Sequence, residues 1–545
     1  MTRQASLPPI AVIGAGFSGT MAALQLLEAL PPEQPVLLCE RGGSFARGLA
    51  YGTGNPAHLL NVRAANMSAF PDRPGHFEEW LSGADLGEGV VTTSAGTFVA
   101  RGHYGSYLTD LLTAAVTGPG VPRLRLVNDA VVDLEPRAGG FLLRTEGGQT
   151  HRVAGAVLAM GNLASAAPKS RHSLDPWAPD SFGRLHPHAP VLIVGTGLTM
   201  LDAVASLRAQ GFTGAILALS RRGLLPNAHA PADLWPMPDL RPADFASLRR
   251  LLARIRSDVA RAAERGVGWH GVIDALRPLT DTIWRSLPPR EQARFQRHLR
   301  PFWDVHRHRT APPAAQTIAD EIARGALTVR AGRLIAIEDE ASQAVVTLRL
   351  RGAERPERLA VQAMIDATGF GHLPQSRDPL LRRLLDRGLV RPGPFGLGLD
   401  AGVDYRAVRT TAGEGGGPLW ILGPLLRGVL WECTAVPDIR NEAAELAGLV
   451  AATLDRAAAA KPPSSQSSGA SPRSGREPCL SAASRIREVG REARPIARHP
   501  LARAANRWPT CGFIRIGRYL SRADTQFGIV LKSLLRVWTC SNQWW

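Results

Sequence analysis

A chain of 545 residues with 45% hydrophobic side chains can bury substantial cores, and its length predicts about two to four domains. It holds no apolar run of about 18 residues that would span a bilayer. The formal charge of +17 invites nucleic acid, but residues 461–545 carry fifteen Lys/Arg against four Asp/Glu, a net of +11, which leaves +6 for the first 460.

Only three of the 64 basic residues are lysine (Lys169, Lys461, Lys532), a skew that reads as genome composition. No zinc-finger, RNA-recognition or helix-turn-helix pattern accompanies the charge, so no nucleic-acid partner is expected. Five cysteines without a C-x-x-C pair argue for a reducing compartment and against both a structural zinc site and a flavin–disulfide reductase. The first nine residues lack the apolar region of a signal peptide. The expected location is the cytoplasm.

The first element is the most informative. Ile10-Ala11-Val12-Ile13 reads as a buried parallel strand and runs straight into Gly14-Ala15-Gly16-Phe17-Ser18-Gly19. A helical pattern follows through Met21, Leu24, Leu27 and Leu30, then a second strand, Val36-Leu37-Leu38-Cys39, that ends at Glu40. In a dinucleotide site the three glycines allow a tight turn, close approach to a pyrophosphate and close helix–strand packing, and the acid accepts ribose hydroxyls. Free N–H groups at the helix start favour the phosphates.

Beyond Glu40 and Arg41, a glycine-rich loop leads through Tyr51, His58–Val62 and Asn66–Phe70. A structureless stretch of that length is uncommon unless it serves a function. Helices are expected over 76–81 and 105–116, and strands over 124–135, 141–145 and 151–159. A second nucleotide turn follows: Val191-Leu192-Ile193-Val194-Gly195-Thr196-Gly197-Leu198-Thr199-Met200, with Met200 at the third glycine position. Its next strand, 215–220, ends in Ser220-Arg221-Arg222 where the first ends in an acid. Hydroxyl and guanidinium groups there suit a 2′-phosphate, hence NADPH over NADH; the plainer reading is a solvated arginine pair.

Residues 243–300 have helical spacing and form an insertion whose apolar stripe is read as core. Phe302-Trp303-Asp304-Val305-His306-Arg307-His308-Arg309 follows. Two histidines at i, i+2 without a third ligand make a poor metal site, so none is expected. The mix of aromatic and basic groups suits an anionic substrate or the NADPH phosphates; the plainer reading is a structural hydrogen-bond network. Strands over 327–337 and 345–350 lead to Ile365-Asp366-Ala367-Thr368-Gly369, with a weaker echo at Leu158-Ala159-Met160-Gly161. The two bracket the second nucleotide turn. Leu419–Pro424 reads as strand and turn, and a closing helix begins near Val436.

The array GAGFSG, GLAYGTGNPAHLLNV, NMSAFPD, HYGSYL, VLIVGTGLTMLD, ALSRRG, WDVHRHR, DATGFG and LGPLLRGVLWECTAVPDIR, over about residues 8–455, resembles bacterial FAD-NAD(P)-binding proteins. That family includes a FAD-dependent urate hydroxylase and is related in architecture to two-dinucleotide flavin monooxygenases. The resemblance implies an α/β fold with two Rossmann-like dinucleotide-binding domains, to which spacing adds the helical insertion and composition a disordered basic C-terminal tail beyond the matching residues. The expected division is 8–187 for the first part of the FAD domain, 188–350 for the NAD(P)H domain with its insertion, 351–456 for the second FAD part, and 457–545 for linker and tail.

Carried to this chain, the resemblance places FAD at Gly14, Gly16, Gly19, Glu40 and Arg41, with Gly369 and Gly423 nearby. It places NADPH at Gly195, Gly197, Ser220 and Arg221. The Tyr51–Asn61 and Asn66–Phe70 segments would line the flavin ring. The implied activity is an NAD(P)H oxidoreductase, a monooxygenase that hydroxylates a small molecule with molecular oxygen through a flavin C4a-hydroperoxide. Asn61, His306 and His308 are the candidate catalytic side chains. Two other readings stand beside it: a flavoprotein reductase or redox sensor serving a partner protein, and a non-catalytic dinucleotide-binding protein. The basic, amphipathic tail suits weak contact with an anionic membrane surface; an accidental extension reads equally well.

Overall fold

The structure, a computed structural model, describes residues 7–118, 122–164, 170–178, 181–410 and 415–459. Two parallel sheets dominate it. The first has strand order Leu419–Ile421, Gly155–Leu158, Ile10–Ile13, Val36–Glu40 and Leu124–Asn128, all parallel. Ile10 through Ile13 are buried on both faces, which is why the strand reads as an unbroken apolar run. The first helix, Phe17–Ala29, lies on this sheet, and the closing helix Val436–Ala459 packs along it. Val436, Ile439, Ala443, Leu446, Ala447 and Val450 supply its buried stripe, at helical spacing.

The second sheet is ordered Ser173–Leu174, Ala363–Asp366, Val191–Val194, Ile216–Ser220, Leu327–Asp339, Ala344–Leu350 and Glu357–Val361. Its first five strands run parallel and the last two turn back antiparallel. This moves two expected boundaries. Glu357–Val361 and Ala363–Asp366 belong to the second sheet, so the first lobe does not resume at 351, and Ser173–Leu174 joins the second lobe before 188. An apolar run announces a strand but carries no mark of which sheet will take it.

The stretch expected as one strand over 124–135 is two. Leu124–Asn128 closes the first sheet, and Val131–Arg137 starts a separate antiparallel meander with Gly140–Thr145 and Thr150–Val153. The helical insertion extends past 300, through Leu248–Glu264, Trp269–Leu276, Thr280–Ser286 and Pro289–Arg294 to Arg300–Arg307. Its stripe is core, as Leu248, Leu251 and Leu287 cluster with Ile255, Ile283 and Phe295. The insertion also grips residues 422–435, the C-terminal strap between the strand Leu419–Ile421 and the closing helix. Trp284 Nε1 donates to the Gly428 carbonyl at 2.8 Å, and Trp431 packs 4.8 Å from Trp284 and 4.9 Å from Phe295.

Among the described residues no helix is long and apolar enough to cross a membrane. The tail from 460 onward, with its expected membrane contact, lies outside the described residues.

Candidate functional site

The two glycine turns are built alike. In the first, Gly14 has φ +94°, its N–H donates to the Cys39 carbonyl at 2.9 Å, and Ala159 N–H donates to the Ile13 carbonyl at 2.9 Å. A Cβ on Gly14 would stand 2.6 Å from the Ala159 carbonyl oxygen. In the second, Gly195 has φ +120°, its N–H donates to the Leu219 carbonyl at 2.8 Å, and Ala367 N–H donates to the Val194 carbonyl at 2.8 Å. There a Cβ would stand 2.0 Å from the Ala367 carbonyl oxygen. Both positions demand glycine, for conformation and for space. The Ala-Met-Gly and Ala-Thr-Gly echoes are thus the neighbouring strand ends against which each first glycine packs.

The third positions differ. A Cβ on Gly19 would lie 1.8 Å from the Gly14 carbonyl oxygen, so the first helix sits hard on its turn. Met200 occupies that place in the second lobe, fully buried in its core. The middle glycines are open where a ligand would approach. Gly16 faces only Gly48, at 3.5 Å from a built Cβ, and Gly197 has nothing within 4 Å.

At the strand ends the lobes diverge as the sequence predicts. Glu40 Oε2 accepts the Ala15 N–H at 2.8 Å and Oε1 accepts the Gly42 N–H at 3.1 Å, so the carboxylate sits in the mouth of the first turn. Ser220 takes the matching place. Thr196 Oγ1 is 2.8 Å from Ser220 Oγ, and Ser220 Oγ accepts the Gly223 N–H at 3.0 Å. Arg221 is exposed, while Arg222 lies over the Phe302 ring at 5.0 Å. Arg41 extends to Asp378 at 2.7 Å, and Asp378 caps the helix Pro379–Asp386. Gly423, at φ +72°, comes within van der Waals reach of Ser18 on the first helix, which brings the C-terminal strap to the first turn. Gly369, at φ +95°, is exposed beyond the return strand of the second sheet, with open space around it. It stands two residues beyond Ala367, whose carbonyl packs on Gly195 in the second turn.

The loop that follows Tyr51 docks on the second lobe. His58 Nε2 is 2.8 Å from Ser206 Oγ and 3.1 Å from the Asp202 carbonyl, both on the helix Leu198–Ala209. Arg101 pairs with Asp202 at 2.8 Å, and both side chains are largely buried. Asn61 is held through its backbone, whose carbonyl accepts from His229 Nε2 at 3.0 Å.

The two candidate histidines part company. His306 Nδ1 donates to the Phe302 carbonyl at 2.7 Å, and its ring meets Trp269 edge-on at 4.8 Å. His308 stands just past the end of the helix Arg300–Arg307, where its backbone N–H donates to the Asp304 carbonyl at 2.8 Å. Burial pushes Glu432 up, but Arg307 at 3.3 Å, with His308, Trp303 and Arg277, outweighs it and holds the group below its ordinary range.

Residues that sequence reasoning passed over gather around His306: Trp269 and His270, stacked at 3.7 Å, with His229, Arg63 and Arg309. Burial, reinforced by the Arg309 charge, lowers His229 and His270 each to about 4, and lowers His306 as well. The described cysteines, Cys39 and Cys433, are buried and unpaired. Burial pushes the Cys39 thiol up to about 12 and Cys433 well above its ordinary value.

Residues 11–163 match the family described as FAD-NAD(P)-binding. No curated protein sequence matches the chain. Among solved structures it is similar to the ornithine N-hydroxylase of Kutzneria sp. 744, at 15% identity and a TM-score of 0.54, over 83% of this chain and 100% of that one. It is also similar to the ornithine hydroxylase of Pseudomonas aeruginosa, at 14% identity and TM-score 0.53, over 82% and 100%. The L-lysine 6-monooxygenase of Pseudomonas syringae matches at 20% identity and TM-score 0.52, over 83% and 99%. These likenesses show the fold: an α/β chain with two Rossmann-like lobes.

Proposed function

We propose that this chain, whose residues 11–163 match the FAD-NAD(P)-binding family, is a cytoplasmic, flavin-dependent NAD(P)H monooxygenase that hydroxylates a small molecule with molecular oxygen. The observation that carries the reading is the duplicated turn, Gly14 against the Ala159 carbonyl and Gly195 against the Ala367 carbonyl. Two dinucleotide-type turns in one chain call for two dinucleotides, FAD in the first lobe and NADPH in the second. The named activities of the ornithine and lysine enzymes that share this fold support a small-molecule substrate.

The residues fit both groups. The space beside Gly16 and Gly197 is free of side chains, so a pyrophosphate can approach the backbone N–H groups at the starts of the helices Phe17–Ala29 and Leu198–Ala209. Glu40 offers its carboxylate to ribose hydroxyls, and Ser220 with exposed Arg221 offers a hydroxyl and a cation to a 2′-phosphate. Bound FAD would supply the two-electron chemistry between NADPH and oxygen. In the balanced reaction, substrate, oxygen, NADPH and a proton give hydroxylated substrate, NADP⁺ and water. The chain's own part is to hold the reactants together: the His58 and Arg101 contacts fasten the loop before Asn61 to the NADPH lobe. Asn61, His306 and His308 are the residues proposed to face the substrate.

Purified full-length protein tests this directly. A flavin spectrum that bleaches anaerobically with NADPH faster than with NADH, and returns on admitting air, is expected. Protein that stays colourless after adding FAD overturns the reading.

A further inference from the structure

We propose that the substrate's anionic group binds Arg309, between the loop 227–233 and the helix Trp269–Leu276, and that the substrate also carries N–H or O–H donors for His229 and His306. This rests on the reading of the chain as an enzyme of small molecules and names the class it takes: a small carboxylate, or comparable anion, bearing hydrogen-bond donors.

Arg309 is only 3% exposed. Its Nη2 pairs with Asp274, yet Nε and Nη1 are buried with no hydrogen-bond partner among the described residues. A buried guanidinium with three N–H donors unmet is costly unless an acceptor arrives. The two histidines show the opposite need. His229 Nε2 faces the Asn61 carbonyl, and His306 Nδ1 faces the Phe302 carbonyl, at 3.0 and 2.7 Å. A carbonyl only accepts, so each of those nitrogens carries the proton, and the neutral ring's other nitrogen is an acceptor. Those acceptors, His229 Nδ1 and His306 Nε2, are also buried without a partner among the described residues.

His306 and Arg309 flank Trp269, and His229 follows Ala228, whose carbonyl is 3.4 Å from Nε2 of the neighbouring His270. His306 meets Trp269 at 4.8 Å, His270 stacks on it at 3.7 Å, and Arg309 lies 6.0 Å from its ring centre. An open groove of about 500 Å³ lies beside them, lined among others by Arg63, Ala95, Asp233 and Gly268. Gly268 caps the helix that carries Trp269 and His270, and Arg63 donates to the Ala230 carbonyl beside His229 at 3.1 Å. The groove is therefore walled by residues of the same loop and helix cap that flank the cluster.

The test uses flavin-loaded full-length protein and calorimetry with 4-hydroxybenzoate, which carries a carboxylate and an O–H donor, against the neutral 4-hydroxybenzamide. The carboxylate is expected to bind at millimolar concentration or below and the amide at least about tenfold more weakly, since a charge-assisted bond is lost. Arg309→Lys, which keeps the charge beside Asp274, is expected to weaken the carboxylate about tenfold because the planar donor set is gone. Trp269→Phe, a milder change in the same wall, is expected to weaken both probes alike. Equal binding of the two probes, no carboxylate binding at millimolar concentration, or an Arg309→Lys variant that binds as the parent does overturns the proposal. Bleaching of the same preparations by NADPH reports separately on the flavoprotein reading, so either can fail alone.

Discussion

Gly14 shows how much one missing side chain can decide. Its φ of +94° is strained for any L side chain by about 1–2 kcal/mol, and a Cβ there would also press on the Ala159 carbonyl at 2.6 Å. Gly14→Ala is expected to lower the flavin content of purified protein by about tenfold or more, the equivalent of about 1.4 kcal/mol, with far-ultraviolet circular dichroism retained. The buried histidines make a second prediction. His229 and His270, each lowered to about 4 from an ordinary 6.5, are neutral when folded, whereas the unfolded chain protonates them below 6.5. Unfolding therefore takes up protons in that window, so their contribution to stability is complete above about pH 6.5 and is lost as pH falls towards 4. Tm followed from pH 7.5 to 4.5 should drop, and a His229→Asn, His270→Asn double variant should show a shallower slope. Gly14, Gly16, Gly19 and Glu40 were legible in the sequence because a turn and the strand beside it are local. Arg309, His229 and Trp269 were not, because they meet from separate loops and no spacing ties them together. His306 and His308 read as a pair in the linear order, but His306 lies within the helix Arg300–Arg307 and His308 just past its end.

At the scale of elements, the helical insertion and the C-terminal strap with its closing helix depend on one another. Arg277 holds Asp438 with Nη2 3.0 and 3.1 Å from its two oxygens, and Arg307 holds Glu432, with Arg307 and Glu432 both buried. Removing one partner of a buried pair leaves a charge with no compensation and typically costs about 3–5 kcal/mol. Arg307→Met is expected to destabilise by that amount, read as a lower denaturant midpoint, and Glu432→Gln in the same chain should recover part of it. The strands themselves were readable from apolar runs and turn residues, and the closing helix from its stripe. Their membership was not, since Ala363–Asp366 could have joined either sheet, and only its pairing with Val191–Val194 decides.

For the whole molecule, both turns, both sheets and the clusters that bury them close within residues 7–459. A chain ending at Ala460 is therefore expected to keep its flavin and its NADPH-dependent bleaching, measured against the full-length protein. Loss of FAD on truncation would make the remaining 85 residues part of the fold.

The loops that follow the two echo motifs touch. Gly371 N–H donates to the Leu163 carbonyl at 3.0 Å, and a Cβ on Gly371 would fall 1.8 Å from the Ala164 carbonyl oxygen. Leu163 follows a strand of the first sheet and Gly371 one of the second, so two lengths of backbone lie side by side where the lobes exchange chain. Mechanically that is a seam. Any turn of one lobe on the other would load this pair together with the remaining ties between them, among them those of His58, Arg101, His229 and Trp284. The spacing of the two nucleotide turns would then be held by all of these fastenings at once, with a residue that has no side chain at their inner end.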